Sequence, residues 1–250
     1  TAMSTAAELD AIRLSLLVAT VAVAASLPLG IGLGWLLARR QFRGKSLVET
    51  LLHLPLVLPP VVTGYLLLVL FGRHGWLGEP LERWLGLRLV FDWKGAALAA
   101  AVSAFPLMVR SIRLAFSGVD PRLVQAARTL GASRWNAFRT VTLPLASHGI
   151  VAGVVLAFAR SLGEFGATIM IAGNIPGVTQ TIPLLVYSEL ETPGGLEQAR
   201  GIVIVSIALA ASALAVGEYL ERRGRARRPA RACPPGRPQP PGRRLSRGAG

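Results

Sequence analysis

The chain has few acids, little charge of any kind and one cysteine. Its 250 residues include 13 Asp and Glu against 27 Lys and Arg; 16% of residues are charged and 52% are hydrophobic. This composition excludes an ordinary soluble domain. The lone Cys233 excludes a disulfide framework and a thiolate metal cluster. Zinc-protease and serine-hydrolase motifs and a complete phosphate-binding loop are missing, so no catalytic, nucleotide or metal site is predicted.

The net charge of +14 is partly concentrated at the C-terminus. Ten arginines lie in residues 222–250 among proline and glycine, with little apolar content. Such a segment cannot bury a core, so residues 221–250 are predicted to form a disordered tail whose charge suits anionic lipid headgroups. A nucleic-acid-binding domain would carry its basic stripe on a folded face instead. Nucleic acid is therefore not a predicted partner.

Long apolar runs fill the rest of the chain. About 20 mainly apolar residues of helix cross a bilayer core, and five segments meet this length. We predict an all-α integral membrane domain over residues 11–220, with spans at about 11–38, 47–71, 95–116, 143–168 and 200–219. The charge-free stretch 165–188 is rich in helix-breaking glycine and proline. It is predicted to finish the fourth span and then form an external loop.

The basic residues predict the orientation of the spans. Residues 39–46 carry four basic residues and no acid, residues 110–142 carry six arginines and one acid, and residues 164–200 carry one arginine and four glutamates. Five spans fit this alternation, with residues 1–10 outside and the tail in the cytoplasm. A sixth span would place ten arginines outside. The first span is predicted to be retained, because it is too long for a signal-peptide core.

A short polar module interrupts the apolar runs at residues 120–142. Asp120 followed by Pro121 is a strong helix start, and Gly131 is a typical helix stop. Between them an apolar stripe falls at helical spacing, formed by Leu123, Ala126, Ala127 and Leu130. This pattern fits a helix docked in a groove of another protein or a helix lying on lipid headgroups. Periodicity alone leaves both open.

The spacing within the module resembles the EAA loop of ABC importer permeases. Gln125-Ala126-Ala127 is followed by Gly131, then by nine intervening residues and Val141-x-Leu143-Pro144. Gln125 stands where the family has Glu, which removes the charge that a salt bridge there would need, and Val141 replaces Ile. The resemblance implies a coupling helix that docks into an ATPase subunit, through Gln125, Ala126, Ala127, Gly131, Val141, Leu143 and Pro144.

Two further blocks resemble molybdate permeases. They are PLVLPPVVTG at residues 55–64 and SLGEFGA, continued by AGNIPG, within residues 161–177. The resemblance covers about residues 10–220 and implies a type I importer subunit for molybdate or tungstate in the bacterial inner membrane. Implied partners are a second copy, two ABC ATPase subunits that hold ATP and Mg, and a periplasmic oxyanion-binding protein; no cofactor is bound by this chain. A sulfate or thiosulfate permease is the alternative within the family, and a stand-alone secondary transporter or channel is the alternative outside it.

The same blocks supply candidates for a translocation path or for helix packing: Pro55, Pro59, Pro60, Thr63, Gly163, Glu164 and Gly166. Prolines inside a span free carbonyl groups, which is tolerated only beside water or protein. Glu164 is an acid near membrane depth and therefore a functional candidate, with a structural ion pair to Arg160 as the alternative. Gly163 and Gly166 suit close helix packing. Residues 173–181 are predicted to be an external loop, open to an anion or a docking protein.

Overall fold

The computed structural model describes residues 2–73 and 75–226, and these residues contain helices but no strands. The predicted tail beyond residue 226 lies outside the described residues. The elements are α1 (Ala2–Arg39), α2 (Lys45–Val57), α3 (Pro60–Phe71), α4 (Gly78–Leu85), α5 (Trp93–Ser117), α6 (Pro121–Thr129), α7 (Arg134–Ala137), a π-helical turn (Phe138–Thr142), α8 (Leu143–Leu162), α9 (Gly166–Ala172), α10 (Ile182–Leu190) and α11 (Gly195–Ala226).

Four helical segments among the described residues are long and apolar enough to cross a membrane. They are Ala6–Arg39, Trp93–Ser117, Arg134–Leu162 and Gly195–Tyr219. The helix pair α2 and α3 passes the same test together, which brings the number to five if the pair counts as one span. Five apolar segments were predicted. The first and last differ at their ends, because α1 already includes residues 2–10 and α11 runs through residues 221–226.

The predicted span 47–71 is not one straight helix, because the chain bends by 114° between α2 and α3. Leu58 is extended, with φ −69° and ψ 142°. The helical conformation is disfavoured for a residue that precedes proline. Leu58 precedes Pro59, so α2 ends at Val57. Pro60 then opens α3, where a missing N–H costs nothing. The two prolines therefore turn the chain rather than kink a continuous span.

The central helix α5 packs against α1 on one side and α8 on the other. A Cβ atom added to Gly34 of α1 would lie 2.6 Å from Ile112 Cγ2 of α5, and one added to Gly149 of α8 would lie 2.3 Å from Ala115 Cβ. Membrane helices approach closely where side chains are this small, and the gain is van der Waals contact. These glycines therefore set the distance between the three helices.

Residues 163–190 differ from the predicted external loop. The fourth span was predicted to end at 168, but α8 ends at Leu162, and a break leads into the short helices α9 and α10. Side chains from this stretch are fully buried in the core, including Ala167, Ile171, Ala172 and Leu184. The glycines and prolines do break the helix. Gly166 is buried at the start of α9, whereas Pro176 and Gly177 are exposed in the non-helical stretch 173–181. The segment is therefore two short helices joined by a loop, and not one continuous external loop.

Candidate functional site

The module at residues 120–142 forms the two short helices that its local sequence favours. The Asp120 carboxylate accepts a hydrogen bond from the Arg122 amide at 2.8 Å and caps α6. Gly131 has φ 91°, a conformation that favours glycine, and it ends the first helix. The Ser133 hydroxyl accepts a hydrogen bond from the Asn136 amide at 3.1 Å and caps α7. Each cap satisfies amides that a helix start leaves unpaired.

The apolar stripe of the module faces away from the rest of the chain. Helix α6 buries none of its residues, and Leu123, Gln125 and Ala126 are exposed. Leu130 is 89% exposed and Trp135 is 65% exposed, although both are large and apolar. We call Leu123, Ala126, Leu130 and Trp135 the outer face of the module. Ala127 is half-buried at its edge. The module therefore presents an apolar face that the other described residues do not cover.

An aromatic cluster holds the inner side of the module against two membrane helices. The Phe138 ring stacks on Trp135 with ring centroids 5.6 Å apart, meets Trp35 of α1 edge-on at 5.9 Å, and lies 6.2 Å from Phe116 of α5. The Arg39 guanidinium at the end of α1 also donates to the Val119 carbonyl at 2.8 Å. Sequence reasoning did not identify Trp35, Phe116 or Arg39, because their contacts join distant parts of the chain.

The second half of the module continues directly into the membrane helix α8. Val141 lies in the π-helical turn, Leu143 is the first residue of α8, and Pro144 lies in its first turn. Val141 and Leu143 are half-buried. No loop separates α7, the π-helical turn and α8, so they form one helical segment from Arg134 to Leu162. A displacement of α7 therefore moves the start of α8.

Helices α3 and α9 cross at their glycines. A Cβ atom added to Gly64 would lie 2.7 Å from the Ala167 Cα atom and from the Met170 Cβ atom, and one added to Gly166 would lie 2.8 Å from Pro60 Cβ. No L side chain fits at such distances without movement of the backbone. Gly163 is different: its added Cβ would have only the Arg160 carbonyl oxygen nearby, at 4.0 Å. We call the contact of α3 with α9 at Gly64 and Gly166 the α3–α9 crossing.

Glu164 is a structural part of the break before α9. Its side chain is 1% exposed; Oε2 lies 2.9 Å from Arg160 Nη1, in an ion pair that is not aligned as a hydrogen bond. Oε1 accepts a hydrogen bond from the Ala167 amide at 2.9 Å. A buried carboxylate is costly unless it is paired and hydrogen-bonded, and both conditions are met here. The pairing with Arg160 is the alternative considered for this acid.

The remaining path candidates occupy different places. Pro55 lines an apolar groove formed by α1, α2 and α5, together with Leu29 and Phe105. Pro59 is exposed at the turn between α2 and α3. Thr63 is buried, and its hydroxyl has no hydrogen-bond partner. The structure therefore does not bring all candidates together; it groups Pro60 and Gly166 at the α3–α9 crossing.

The polar side chains of residues 173–181 form hydrogen bonds with one another, with nearby backbone and with Ser188 of α10. Asn174 Nδ2 donates to the Ser188 hydroxyl at 2.6 Å, and Gln180 Nε2 donates to Asn174 Oδ1 at 3.1 Å. The buried Thr179 hydroxyl accepts a hydrogen bond from the Ile175 amide at 2.9 Å.

Over residues 2–73 and 75–226, no group of three or more His, Cys, Asp or Glu is placed to hold a metal ion.

Comparison with known proteins identifies relatives along nearly the whole chain. Residues 30–226 match the family described as binding-protein-dependent transport system inner membrane component. The chain is 59% identical over 220 residues to the molybdenum transport system permease protein ModB of Escherichia coli K12, covering 88% of this chain and 96% of that protein. It is 56% identical to ModB of Haemophilus influenzae over 216 residues, covering 86% and 94%.

More distant relatives share the fold. The sulfate transport system permease protein CysT of Escherichia coli K12 is 39% identical over 204 residues, covering 82% of this chain and 72% of that protein. A chain of a bacterial alginate ABC transporter, crystallised with an alginate-bound periplasmic protein, superposes with a TM-score of 0.68 at 18% identity, covering 86% of this chain and 78% of that one. A chain of the MetNI methionine ABC transporter gives 0.62 at 16% identity, covering 88% and 95%.

Proposed function

The chain belongs to the family of binding-protein-dependent transport system inner membrane components, and on this premise we propose that it is the membrane-spanning subunit of an ATP-driven importer for molybdate. It is a multi-pass inner-membrane protein. The observation that supports this role most directly is the exposed outer face of the module, which lies between two membrane-spanning helices and is attached to both. A channel or secondary transporter that works alone has no use for such a surface.

The assignment to molybdate rests on the relatives. Identity to the molybdenum permease proteins is 59% and 56%, against 39% for the sulfate permease protein. A sulfate or thiosulfate importer is thus the weaker alternative. Tungstate is included as cargo, because it is a tetrahedral dianion like molybdate.

The module supplies the coupling step. An ATPase subunit binds the outer face through Ala126 and its apolar neighbours, where small side chains allow close approach of another backbone. Movement of the ATPase subunit then displaces Phe138, and Phe138 transmits the displacement to α1 and α5 through Trp35 and Phe116. Two states of the spans, each favoured by different partners, are sufficient for alternating access.

The assembly consists of two copies of this chain, two ATPase subunits and a periplasmic oxyanion-binding protein. ATP and Mg are bound and consumed on the ATPase chains, and this chain binds no cofactor. The module and the C-terminal tail lie in the cytoplasm, and the N-terminus lies outside, as the distribution of arginine favours.

Uptake by the reconstituted complex tests the proposal. The chain, its ATPase subunit and its binding protein are placed in proteoliposomes, and ATP-dependent accumulation of labelled molybdate is measured. Unlabelled molybdate and tungstate should compete at concentrations well below those of sulfate. Equal competition by sulfate would move the chain to the sulfate class. Uptake without any ATPase subunit would contradict the importer role.

A further inference from the structure

One face of α5 changes from covered to open along its length. The residues of this face follow at helical spacing: Ala96, Ala99, Ser103, Arg110 and Leu114. The first three are buried, whereas Arg110 is exposed and Leu114 is 75% exposed. Helix α9 completes the core cluster around Ala96 and Ala99 with Ala167, Ile171 and Ala172. The face is therefore closed where α9 packs and open near the module.

Arg110 has no carboxylate partner among residues 2–73 and 75–226, unlike the neighbouring arginines of the spans. Arg113 pairs with Glu49 of α2 at 3.0 Å, and Arg160 pairs with Glu164 at 2.9 Å. A guanidinium without a countercharge keeps its full demand for water or for an anion. In a protein that spans a membrane, such a residue marks an ion pathway more often than a lipid contact.

The position of Arg110 along α5 places it within the bilayer. The helix has 25 residues, so it is about 37 Å long against a hydrocarbon core of about 30 Å. Arg110 lies seven residues before Ser117, or roughly 10 Å from the helix end. With α5 centred in the membrane, its backbone therefore lies inside the hydrocarbon core. A charge that faces lipid is disfavoured there, so the open face of α5 is better suited to border water than lipid.

We propose that Arg110 lines the water-filled part of the translocation path and binds the oxyanion as it passes, while α9 closes the same face of α5 at its other end. This inference rests on the proposed function, because it takes the cargo to be a tetrahedral dianion. A guanidinium offers a planar pair of N–H donors that matches two oxygens of such an anion. The contact with the guanidinium attracts the anion. Because only one residue makes this contact, the anion can dissociate again.

Accessibility to water is tested with single cysteines. In a Cys233→Ser background, Arg110→Cys and Leu114→Cys are compared with Ile207→Cys, which lies on the apolar surface of α11 and is 64% exposed. The complex with its ATPase subunit is placed in nanodiscs of zwitterionic lipid, so that both sides are reachable, and treated with an anionic thiol reagent. Residues 110 and 114 should react, and residue 207 should not. If residue 110 reacts no faster than residue 207, Arg110 reaches lipid headgroups from a lipid-facing position and the proposal is wrong.

The role of the charge is tested by uptake. Arg110→Gln should lower molybdate uptake roughly tenfold, the order of effect that a charge-assisted hydrogen bond contributes, while ATPase binding and basal ATP hydrolysis stay unchanged. Arg110→Lys should retain more uptake than the Gln variant. The control is Arg13→Gln, which replaces an exposed arginine in the N-terminal part of α1. This variant should take up molybdate normally. Unchanged uptake by Arg110→Gln would overturn the inference. If the unsubstituted complex takes up no molybdate, the proposed function is wrong. The cysteine reactivity of residues 110 and 114 then still shows whether the open face of α5 is accessible to water.

Discussion

The module at residues 120–142 and the α3–α9 crossing both depend on small residues, but they use them in opposite ways. At the crossing, Gly64 and Gly166 are in contact with backbone and Cβ atoms of the opposite helix. The space that a side chain would take is therefore filled by the chain's own neighbouring helix. In the module, Ala126 is exposed and Gly131 has open space around it. A small residue in contact sets a packing distance. A small residue left open keeps a surface accessible to a partner.

The largest effect is expected at the crossing. Gly64→Leu places a side chain where even a Cβ atom lies 2.7 Å from Ala167 Cα, and such overpacking costs about 3 kcal/mol or more. We expect loss of folded protein, measured by thermal unfolding and size-exclusion chromatography in detergent. Gly32→Leu on α1 is the control, since nothing lies within 4 Å of its added Cβ. Equal stability of the two variants would mean that α3 and α9 do not cross as described.

In the module, the same increase in size should leave the fold intact and prevent docking. Ala126→Arg adds a long charged side chain at an exposed position, so thermal stability should stay within about 0.5 kcal/mol, as for most surface substitutions. Buried in an interface, that charge costs about 2 kcal/mol or more, and the ATPase subunit should no longer co-purify. Ala126→Ser at the same site should co-purify normally. Retention of the ATPase by the Arg variant would favour a helix that lies on headgroups instead.

Loss of the ion pair beside α9 is expected to lower stability less than the substitution at the α3–α9 crossing. Arg160→Ala leaves the Glu164 carboxylate buried without its cation, and because Arg160 is one-third exposed, we expect a loss of about 2 kcal/mol rather than the larger cost of a fully buried pair. Glu164→Gln keeps an oxygen that accepts from the Ala167 amide and should cost less. In the Arg160→Ala background, the Gln substitution should recover stability in thermal unfolding. No recovery would show that the two side chains are not coupled.

A substitution with a small effect on stability separates docking of the ATPase subunit from transmission of its movement to the membrane helices. Phe138→Leu keeps an apolar side chain but removes three ring contacts, and we expect a loss of about 1 kcal/mol. On the outer face, Trp135 loses one ring contact, but Leu123, Ala126 and Leu130 are unchanged, so the ATPase subunit should still co-purify. Uptake should fall, because the module is then coupled more loosely to α1 and α5. Normal uptake by this variant would show that force passes through α8 alone.

Local chemistry explains why the module was predictable. The caps at Asp120 and Ser133 and the stop at Gly131 act within a few residues, so the helix starts and the stop follow from the sequence. The outward direction of the apolar stripe does not. An amphipathic pattern indicates which residues share a face, but the ring contacts of Phe138 with α1 and α5 decide which face points inward.

The sequence alone determined the membrane class, the approximate apolar segments, the caps of the module, and the resemblance to the importer family. Each of these depends on composition or on neighbours within one helical turn. Only the tertiary structure decided that the break after Leu162 leads into a buried helix and that Glu164 pairs with Arg160 and the Ala167 amide. It also decided that Arg110 has no carboxylate partner within the described part of the chain. These features depend on which distant segments meet, and the pattern along a single helix does not contain that information.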